Sequence, residues 1–342
     1  MLTADLRAAA ELLGAATDVT LLAHINPDAD ALGSALALGL VLRRRGATVR
    51  VSFGAPDEVP ETLRGLDPAG LVVPADEVPA APALLVACDT GSEHRLGKLA
   101  DRLESTVAAG GSVLVIDHHA SNTRFGTHHV VDDTAEATVV LVLAVLDELR
   151  EPLDPDIARC LYAGLVTDTS SFRRATPATH RTAARLIEAG ADPAAIAREL
   201  LDAHPFAWLP MLARVLGRAE LEPESAGGMG FVHTTVHLSD MAAASSASPG
   251  GGRVRLSEVE SVVDILRATA EAEVALVLKE MAPGHWSGSL RAAGAVDVRA
   301  AAERLGGGGH RLAAGFTATG TAAEVLAAVR ETLRNPVLLV TS

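Results

Sequence analysis

The 342-residue sequence is poor in aromatic residues and in basic charge. Phe, Trp and Tyr supply only 3% of the chain, so large cores must be built from Leu, Val and Ala. The formal net charge is −14, with 29 Lys and Arg against 43 Asp and Glu. A protein that grips long nucleic acid by its phosphates needs a basic face. The composition therefore argues against a binder of long duplexes, whereas a short anionic substrate in a local basic pocket is compatible with it.

Cysteines and long apolar runs are also scarce. The two cysteines, Cys88 and Cys160, lie far apart without zinc-type spacing, and a disulfide framework would need more of them. Two reduced thiols are typical of a cytoplasmic protein, which is the location that we predict. The most apolar segments, ALGSALALGLVL and VVLVLAVL, are too short to span a bilayer, so no membrane association is expected. The first residues predict an amphipathic helix rather than a signal peptide.

The first half of the chain predicts an α/β fold. Continuous apolar runs, typical of strands that are covered on both faces, alternate with helical patterns. These runs cover residues 19–24, 47–53, 83–89 and 112–117. Helices between such strands imply parallel pairing, so we predict an N-terminal doubly wound, mostly parallel sheet. Further helices are predicted over about 134–149 and 155–169.

The second half predicts a helical connector and a smaller α+β C-terminal domain. Helical periodicity runs from about residue 179 to 220, and strands and helices then alternate. We therefore divide the chain into a catalytic domain, a helical connector and a substrate-binding domain, at residues 1–178, 179–222 and 223–342. The small and glycine-rich segment 239–252 is predicted to be a mobile loop.

Three of the predicted strands end in side chains that bind cations. The runs LLAH, LLVACD and SVLVID end at His24, Asp89 and Asp117. Because side chains just beyond the carboxyl ends of parallel strands converge on one crevice, we expect these three residues to meet. The same crevice is expected to receive Asp28, Asp30, His118, His119 and Asp168.

Such a cluster of acids requires a cation. Carboxylates within a few ångströms repel one another and take up protons unless a metal ion neutralises them. Oxygen-rich ligands with a minority of imidazole favour Mn²⁺ or Mg²⁺, and the absence of thiolate ligands argues against structural zinc. The number of ligands favours two ions, an arrangement suited to attack on phosphorus. Each motif alone is equally compatible with simple turn chemistry, and only their combination predicts the site.

The motifs HINPDADALGSALAL, CDTG, IDHHASNTRFG and GLVTDTSSF resemble those of the DHH phosphoesterase family. The later segments SGSLRAAGAVDV and LGGGGHRLAAGF resemble the DHH-associated C-terminal domain of that family. The similarity runs over residues 19–335, approximately. The subgroup it resembles most is the bifunctional oligoribonuclease, or nanoRNase, that also acts as a phosphatase of 3′-phosphoadenosine 5′-phosphate (pAp).

This resemblance implies a role for each motif residue. A first metal ion would be held by His24, Asp28 and Asp89. A second would be held by Asp30, Asp89, His118 and Asp168, so that Asp89 is shared by both ions. Mn²⁺ is the expected ion and Mg²⁺ the alternative.

The resemblance also implies which residues act on the substrate. Asp89, Asp117 and His119 are the expected catalytic residues, with His119 facing the scissile phosphate and Asp117 orienting a histidine from behind. The residues expected to bind substrate are His119, Asn122, Arg291, Gly307, Gly308, Gly309 and His310. A glycine run can turn its amides inward around an anion. The run alone is more typical of a flexible linker, and the adjacent His310 and Arg311 together with the resemblance favour the anion site.

The implied function is a two-metal phosphohydrolase that degrades short oligoribonucleotides to nucleoside 5′-monophosphates and dephosphorylates pAp to AMP, as a homodimer. A variant of this function is a cyclic di-AMP or pApA phosphodiesterase. A family II-like inorganic pyrophosphatase is a further alternative, but the basic Arg-Lys-Lys type motif expected in its C-terminal domain is not found in this sequence. A RecJ-like single-strand exonuclease would need a longer chain with a more basic channel. A nucleotide-sensing module is the non-enzyme alternative, which the complete set of ligand residues disfavours.

Overall fold

Strands and helices alternate through the first part of the protein. The computed structural model describes residues 2–247, 254 and 256–339, and its contacts divide the chain into two units, Met1–Ala203 and His204–Ser342. The strands of the first unit are β1 (Asp18–Ala23), β2 (Thr48–Phe53), β3 (Leu84–Cys88), β4 (Ser112–Asp117) and β5 (His128–Val131). Its helices are α1 (Leu2–Ala15), α2 (Ala29–Arg44), α3 (Asp101–Ala108), α4 (Thr138–Glu148), α5 (Pro155–Asp168), α6 (Pro177–Glu188) and α7 (Pro193–Leu200). Short 3₁₀ helices lie at Glu61–Leu66, Ala75–Glu77 and Glu93–Leu99.

The sheet of the first unit is parallel throughout, in the order β2-β1-β3-β4-β5. This confirms the predicted doubly wound α/β fold. The order reverses between β1 and β3, because the chain leaves β1 for β2 on one side and then returns to the other side of β1. A crevice forms at the carboxyl ends of strands where the order reverses. The strand β5 was missed, since its sequence HHVV is short and half of it is histidine.

Helices α2 and α5 pack against each other unusually closely. A Cβ atom added to Gly33 would lie 2.5 Å from the carbonyl oxygen of Cys160, and one added to Gly164 would lie 2.8 Å from Asp30 Oδ1. Gly33 thus meets the middle of α5 at Cys160, while Asp30, earlier in α2, meets Gly164, later in α5, so the helices run antiparallel. The first turn of α2 is thereby brought beside Asp168, the last residue of α5.

The second unit is built around a mixed sheet of the order β10-β11-β9-β8-β7-β6, which confirms the predicted smaller α+β domain. Its strands are β6 (Glu220–Glu222), β7 (Phe231–Val236), β8 (Val274–Ala282), β9 (His285–Ala292), β10 (Gly308–His310) and β11 (Ala313–Thr319). Its helices are α8 (Trp208–Leu216), α9 (Ser225–Gly228), α10 (Leu238–Ala247), α11 (Leu256–Val259), α12 (Val262–Leu266), α13 (Val298–Arg304) and α14 (Ala322–Leu333). Only the β7–β8 pair is parallel among the paired strands of this sheet that the structure describes.

Two regions differ in detail from the sequence pattern. The loop prediction for 239–252 is wrong over residues 239–247, which belong to α10, and residues 248–252 lie outside the described part of the chain. The carboxylate of Asp240, the third residue of α10, accepts a hydrogen bond of 2.9 Å from the backbone N–H of His237, the residue before the helix, as in one half of a capping box. The segment predicted as a connector, 179–222, contains most of α6 and all of α7 in the first unit, and then α8 and β6 in the second.

No helix in the described ranges combines the length and the apolar character that crossing a bilayer requires. The apolar helices α2 and α4 instead bury their side chains in the core of the first unit, together with α5 and one face of the parallel sheet.

We predict that the substitution Gly33→Ala destabilises the protein by about 1–3 kcal/mol, because the added methyl group meets backbone that cannot move alone. Gly14→Ala is the matched control, since a Cβ at Gly14 meets only side-chain atoms at 3.6 Å or more. Urea unfolding at 25 °C measures both free energies of unfolding. A Gly33→Ala protein as stable as the wild type would contradict the close packing of α2 on α5.

Candidate metal centre

Acidic and imidazole side chains meet at the carboxyl edge of the parallel sheet of the first unit. His24 follows β1, Asp89 follows β3 and His118 follows β4, and β1 and β3 flank the point where the strand order reverses. Asp28 and Asp30 come from the start of α2 and Asp168 from the end of α5. The structure therefore brings together the residues that the sequence assigns to the two metal ions.

His24 faces two carboxylates with its outer ring nitrogen. Its Nε2 lies 3.6 Å from Asp28 Oδ2 and 3.5 Å from Asp89 Oδ2. Its Nδ1 lies 2.8 Å from the carbonyl oxygen of Ile25, which can only accept, so Nδ1 carries the hydrogen. The lone pair of a neutral His24 is thus directed from Nε2 toward the carboxylates, as metal ligation requires.

His118 repeats this arrangement on the other side of Asp89. Its Nε2 lies 3.6 Å from Asp89 Oδ1, 3.5 Å from Asp168 Oδ2 and 3.9 Å from Asp30 Oδ2. Its Nδ1 lies 3.1 Å from the carbonyl oxygen of Ala135, which fixes the same tautomer as in His24. The two imidazoles therefore present Nε2 to opposite oxygens of one carboxylate.

Asp89 is held by its backbone and by a threonine. Its φ of 55° lies in the left-handed region, which Asp and Asn tolerate better than most residues. The backbone N–H of Asp89 donates to Ile116 O at 2.9 Å, and Asp89 Oδ1 accepts a hydrogen bond of 2.7 Å from Thr138 Oγ1. Thr138 was missed by the sequence analysis, and its one signal was its place just before the apolar run that forms α4.

Asp30 is anchored at the amino end of α4. Its Oδ2 accepts from Thr138 N at 2.7 Å and its Oδ1 from Val139 N at 2.9 Å. A helix amino terminus favours a carboxylate at this position. Burial, together with repulsion from Asp89 and Asp168, nevertheless raises the pKa of Asp30 well above its ordinary value.

Asp117, His119 and Asn122 form a hydrogen-bonded chain beside this cluster. Asp117 is fully buried, and its Oδ1 accepts from His119 Nδ1 at 2.7 Å. Its Oδ2 accepts from Asn122 Nδ2 at 2.6 Å, and the same nitrogen lies 3.2 Å from Thr90 O. The histidine that Asp117 orients is therefore His119, while the amide of Asn122, expected to contact substrate, bonds to Asp117 and Thr90.

Protonation in the metal-free cluster follows from these contacts. Burial lowers the pKa of His24, but hydrogen bonds to Asp28 and Asp89 outweigh it and raise this pKa to about 10. Burial raises the pKa of Asp168 to about 6, against the attraction of His118. Burial likewise opposes the charge of His118, whose pKa is still raised by Asp89 and Asp168.

The donor atoms fit two cation sites with one shared carboxylate. One set of donor atoms lying within 4.8 Å of one another comes from His24, Asp28 and Asp89, and another comes from Asp30, Asp89 and His118. Asp168 adds a carboxylate to the second set. Asp117 and His119 also lie within this distance of Asp89, but their donors are already bonded to each other. Oxygen-rich sets with one imidazole each suit Mn²⁺ and Mg²⁺.

The predicted substrate residues of the second unit lie on neighbouring strands of its sheet. Arg291 of β9 pairs with Ala313 of β11, which pairs with His310 of β10. Directly opposed residues share a face, so Arg291 and His310 lie on the same face of the sheet. Gly307 and Gly309 leave no space for a side chain, because a Cβ atom would lie 2.0 Å from Gly315 O and 2.7 Å from Ala313 O, respectively.

Phe172, the aromatic residue nearest the motifs, packs within its own unit. Its ring stacks on His180 with 5.5 Å between centroids, and it meets the ring of Tyr162 edge-on at 6.0 Å. Phe172 and the two serines before it have positive φ angles of 53–63°. These contacts account for Phe172 as a packing residue.

Comparisons with known proteins give one consistent family. The model of the DHH family N-terminal domain matches residues 18–165, and that of the DHHA1 domain matches residues 237–335. The bifunctional oligoribonuclease and PAP phosphatase NrnA of Thermus thermophilus is 32% identical over 96% of this chain and 94% of its own length. The cyclic-di-AMP phosphodiesterase GdpP of Geobacillus thermodenitrificans is 27% identical over 88% of this chain, but over 44% of its own length.

Among solved structures, an exopolyphosphatase-related protein from Bacteroides fragilis superposes with a TM-score of 0.82. It covers 97% of this chain and 96% of its own, at 20% sequence identity. At this identity the likeness establishes the fold alone. The fold therefore extends over both units, and the function has to be argued from the site.

We predict that Thr138→Val weakens Mn²⁺ binding by about 10–100-fold, the usual effect of removing a hydrogen bond to a metal ligand. The substitution removes the bond from Thr138 Oγ1 to Asp89 but leaves the backbone N–H that holds Asp30. Thr134→Val is the matched control, because the Thr134 hydroxyl bonds only to Asp132 among the described residues. Isothermal titration with Mn²⁺ measures both affinities, and equal affinities would exclude a role for Thr138.

We also predict that Mn²⁺ binding at pH 7 releases about one proton or more per chain, because His24 is protonated before binding and must be neutral to ligate. The apparent affinity for Mn²⁺ should therefore rise from pH 6 to pH 8. Titrations in two buffers of different ionisation enthalpy give the proton count. His24→Ala should reduce the count and the exposed His94→Ala should not, and a count of zero for the wild type would contradict the protonation described.

Proposed function

Because this chain belongs to the DHH family, we propose that it is a metal-dependent phosphoesterase that degrades short oligoribonucleotides to nucleoside 5′-monophosphates and converts pAp to AMP. The observation that carries the proposal is the position of Asp89, whose Oδ2 faces His24 and whose Oδ1 faces His118. A carboxylate shared in this way suits a pair of cations. The relatedness to a protein named for both activities supports the substrate class.

In this proposal His24, Asp28 and Asp89 hold the first metal ion, and the second is held by Asp30, Asp89, His118 and Asp168. We propose Mn²⁺ as the ion, with Mg²⁺ as the alternative. When bound, the pair supplies positive charge to the phosphoryl group and lowers the pKa of bound water. Asp28 is the most accessible of these residues, with 55% of its side chain exposed, so the first position lies closest to solvent.

The hydrogen-bonded pair of Asp117 and His119 supplies the proton chemistry. His119 is 14% exposed, and Asp117 fixes its ring through Nδ1. Burial opposes the charge of His119, but the bond to Asp117 and the field of Asp89 raise its pKa above the ordinary value. A positioned imidazolium can donate a proton to the leaving oxygen, so His119 is proposed as the general acid. Asn122 supports this arrangement by holding the other oxygen of Asp117.

The second unit is proposed to hold the remainder of the substrate. Arg291 and His310 share one face of its sheet, and Gly307, Gly308 and Gly309 lie beside His310. The order of strands places β10 at the sheet edge, so one side of its backbone is unpaired within the sheet. Backbone amides free of side chains are suited to bind a phosphate group. The tight fit of Gly307 and Gly309 supports this role over that of a flexible linker.

A cyclic di-AMP or pApA phosphodiesterase is the second candidate function, favoured by the similarity to GdpP. A panel of a short oligoribonucleotide, pAp, pApA, cyclic di-AMP and pyrophosphate, each with Mn²⁺, ranks the substrates by chromatography of the products. We expect the oligoribonucleotide and pAp to be hydrolysed fastest and pyrophosphate to persist. Rapid cleavage of cyclic di-AMP with no phosphate release from pAp would favour the second candidate instead.

A homodimer in the cytoplasm is proposed with this function. Most of the apolar side chains of α4 are buried inside the first unit, whereas Val140 and Ala144 are half-buried. An interface on α4 would therefore use these two residues. Light scattering of the purified protein should give twice the chain mass of 35.2 kDa.

We predict that Asp89→Asn lowers kcat at saturating Mn²⁺ by at least about 100-fold, because it removes the carboxylate shared by both donor sets. Asn tolerates the positive φ of this position, so the fold should be retained. The control is Asp133→Asn, which changes the same charge at an exposed position. Circular dichroism checks the fold and AMP release from pAp checks the rate. Full activity in the Asp89→Asn protein would refute the ligand assignment.

A further inference from the structure

Arg95 lies in the 3₁₀ helix Glu93–Leu99, between β3 and α3. Its guanidinium makes no hydrogen bond or ion pair with any residue that the structure describes, and its Nε is buried from solvent. A buried N–H group without an acceptor is unfavourable and calls for an explanation, which a bound ligand can supply. Arg102 and Arg299 also leave a buried Nε without an acceptor, but their side chains pair with Asp101 and Asp297, respectively.

The backbone of Arg95 is fixed beside the loop that carries a metal-ligand candidate. Its carbonyl oxygen accepts a hydrogen bond of 2.8 Å from the N–H of Ile25, the residue next to His24. Gly97 lies against the same residue, because a Cβ atom there would be 2.6 Å from Ile25 Cγ2. The loops after β1 and β3 are thus joined, so the backbone of Arg95 is held next to the loop that carries His24.

The positive charge of Arg95 acts on His24, although Arg95 forms no ion pair with the carboxylates Asp28 and Asp89. Its positive charge opposes protonation of His24 and works against the carboxylates that raise the pKa of this histidine. Other cations nearby are engaged, since Arg174 donates to the carbonyl oxygen of Asp168 and Lys98 pairs with Asp57. Arg95 pairs with neither Asp28 nor Asp89, although this chain has more acidic than basic residues.

We propose that Arg95 binds a non-bridging oxygen of the substrate phosphate at the edge of the cluster formed by His24, Asp28 and Asp89. A guanidinium is permanently charged, weakly hydrated and able to donate two parallel hydrogen bonds to a phosphate. Bound there, it would also oppose the negative charge that develops on the phosphoryl oxygens during hydrolysis. This inference rests on the proposed function, because it assumes that the cluster receives a phosphate ester.

The test measures binding of inorganic phosphate to the Mg²⁺-loaded protein by isothermal titration calorimetry, so that no turnover is required. Arg95→Gln should weaken phosphate binding at least tenfold, and Arg95→Lys should give an intermediate loss. The matched control is Lys98→Gln, which removes a positive charge three residues away and should leave the affinity within twofold. Mg²⁺ affinity, measured without phosphate, should stay within threefold in all three variants. Arg95→Met serves as a second neutral variant if Arg95→Gln does not fold.

The outcomes separate this inference from the proposed function. Wild-type affinity for phosphate in Arg95→Gln would overturn the inference and leave the proposed function intact. A change confined to Mg²⁺ affinity would also overturn it, because Arg95 would then act only through His24. If the wild-type protein loaded with Mg²⁺ bound no phosphate at all, the proposed function itself would fail.

Discussion

The repulsion among buried carboxylates around Asp89 is the constraint on which the site depends. Asp89 lies within 3.6 Å of ring nitrogens from His24, His118 and His119, and burial removes the solvent that would otherwise screen these charges. Without a cation the cluster is balanced only by protons on the imidazoles and on some of the acids. In the proposed function a pair of divalent ions would replace those protons, so that metal binding, pH and catalysis would be linked.

The fold brings these charged side chains together, although their mutual repulsion lowers the stability of the folded state. The reversal of strand order puts His24 and Asp89 side by side, and the close packing of α2 on α5 puts Asp30 near Asp168. The amino end of α4 contacts both carboxylates, because Thr138 bonds to Asp89 through its side chain and to Asp30 through its backbone. One threonine thereby positions a carboxylate from each donor set.

The sequence was sufficient to predict the parallel sheet and the residues that gather at its edge, because strand ends and apolar runs are local features. It did not reveal Thr138 or Arg95, whose roles depend on contacts between segments that are distant along the chain. It also misassigned the start of α10, where Asp240 bonds to the N–H of His237 and to Arg218, contacts that a composition typical of loops does not reveal. The strand Gly308–His310 was also missed, because glycine is rare in strands. Glycine is required at position 309, where a Cβ atom would lie 2.7 Å from Ala313 O.

The most direct test of the central claim is electron paramagnetic resonance of the protein titrated with Mn²⁺. The account predicts two ions per chain at about 3.5–4 Å separation, coupled through the shared carboxylate, with the spectrum of an exchange-coupled pair at saturation. A spectrum of isolated Mn²⁺ ions, or saturation at one ion per chain, would contradict it.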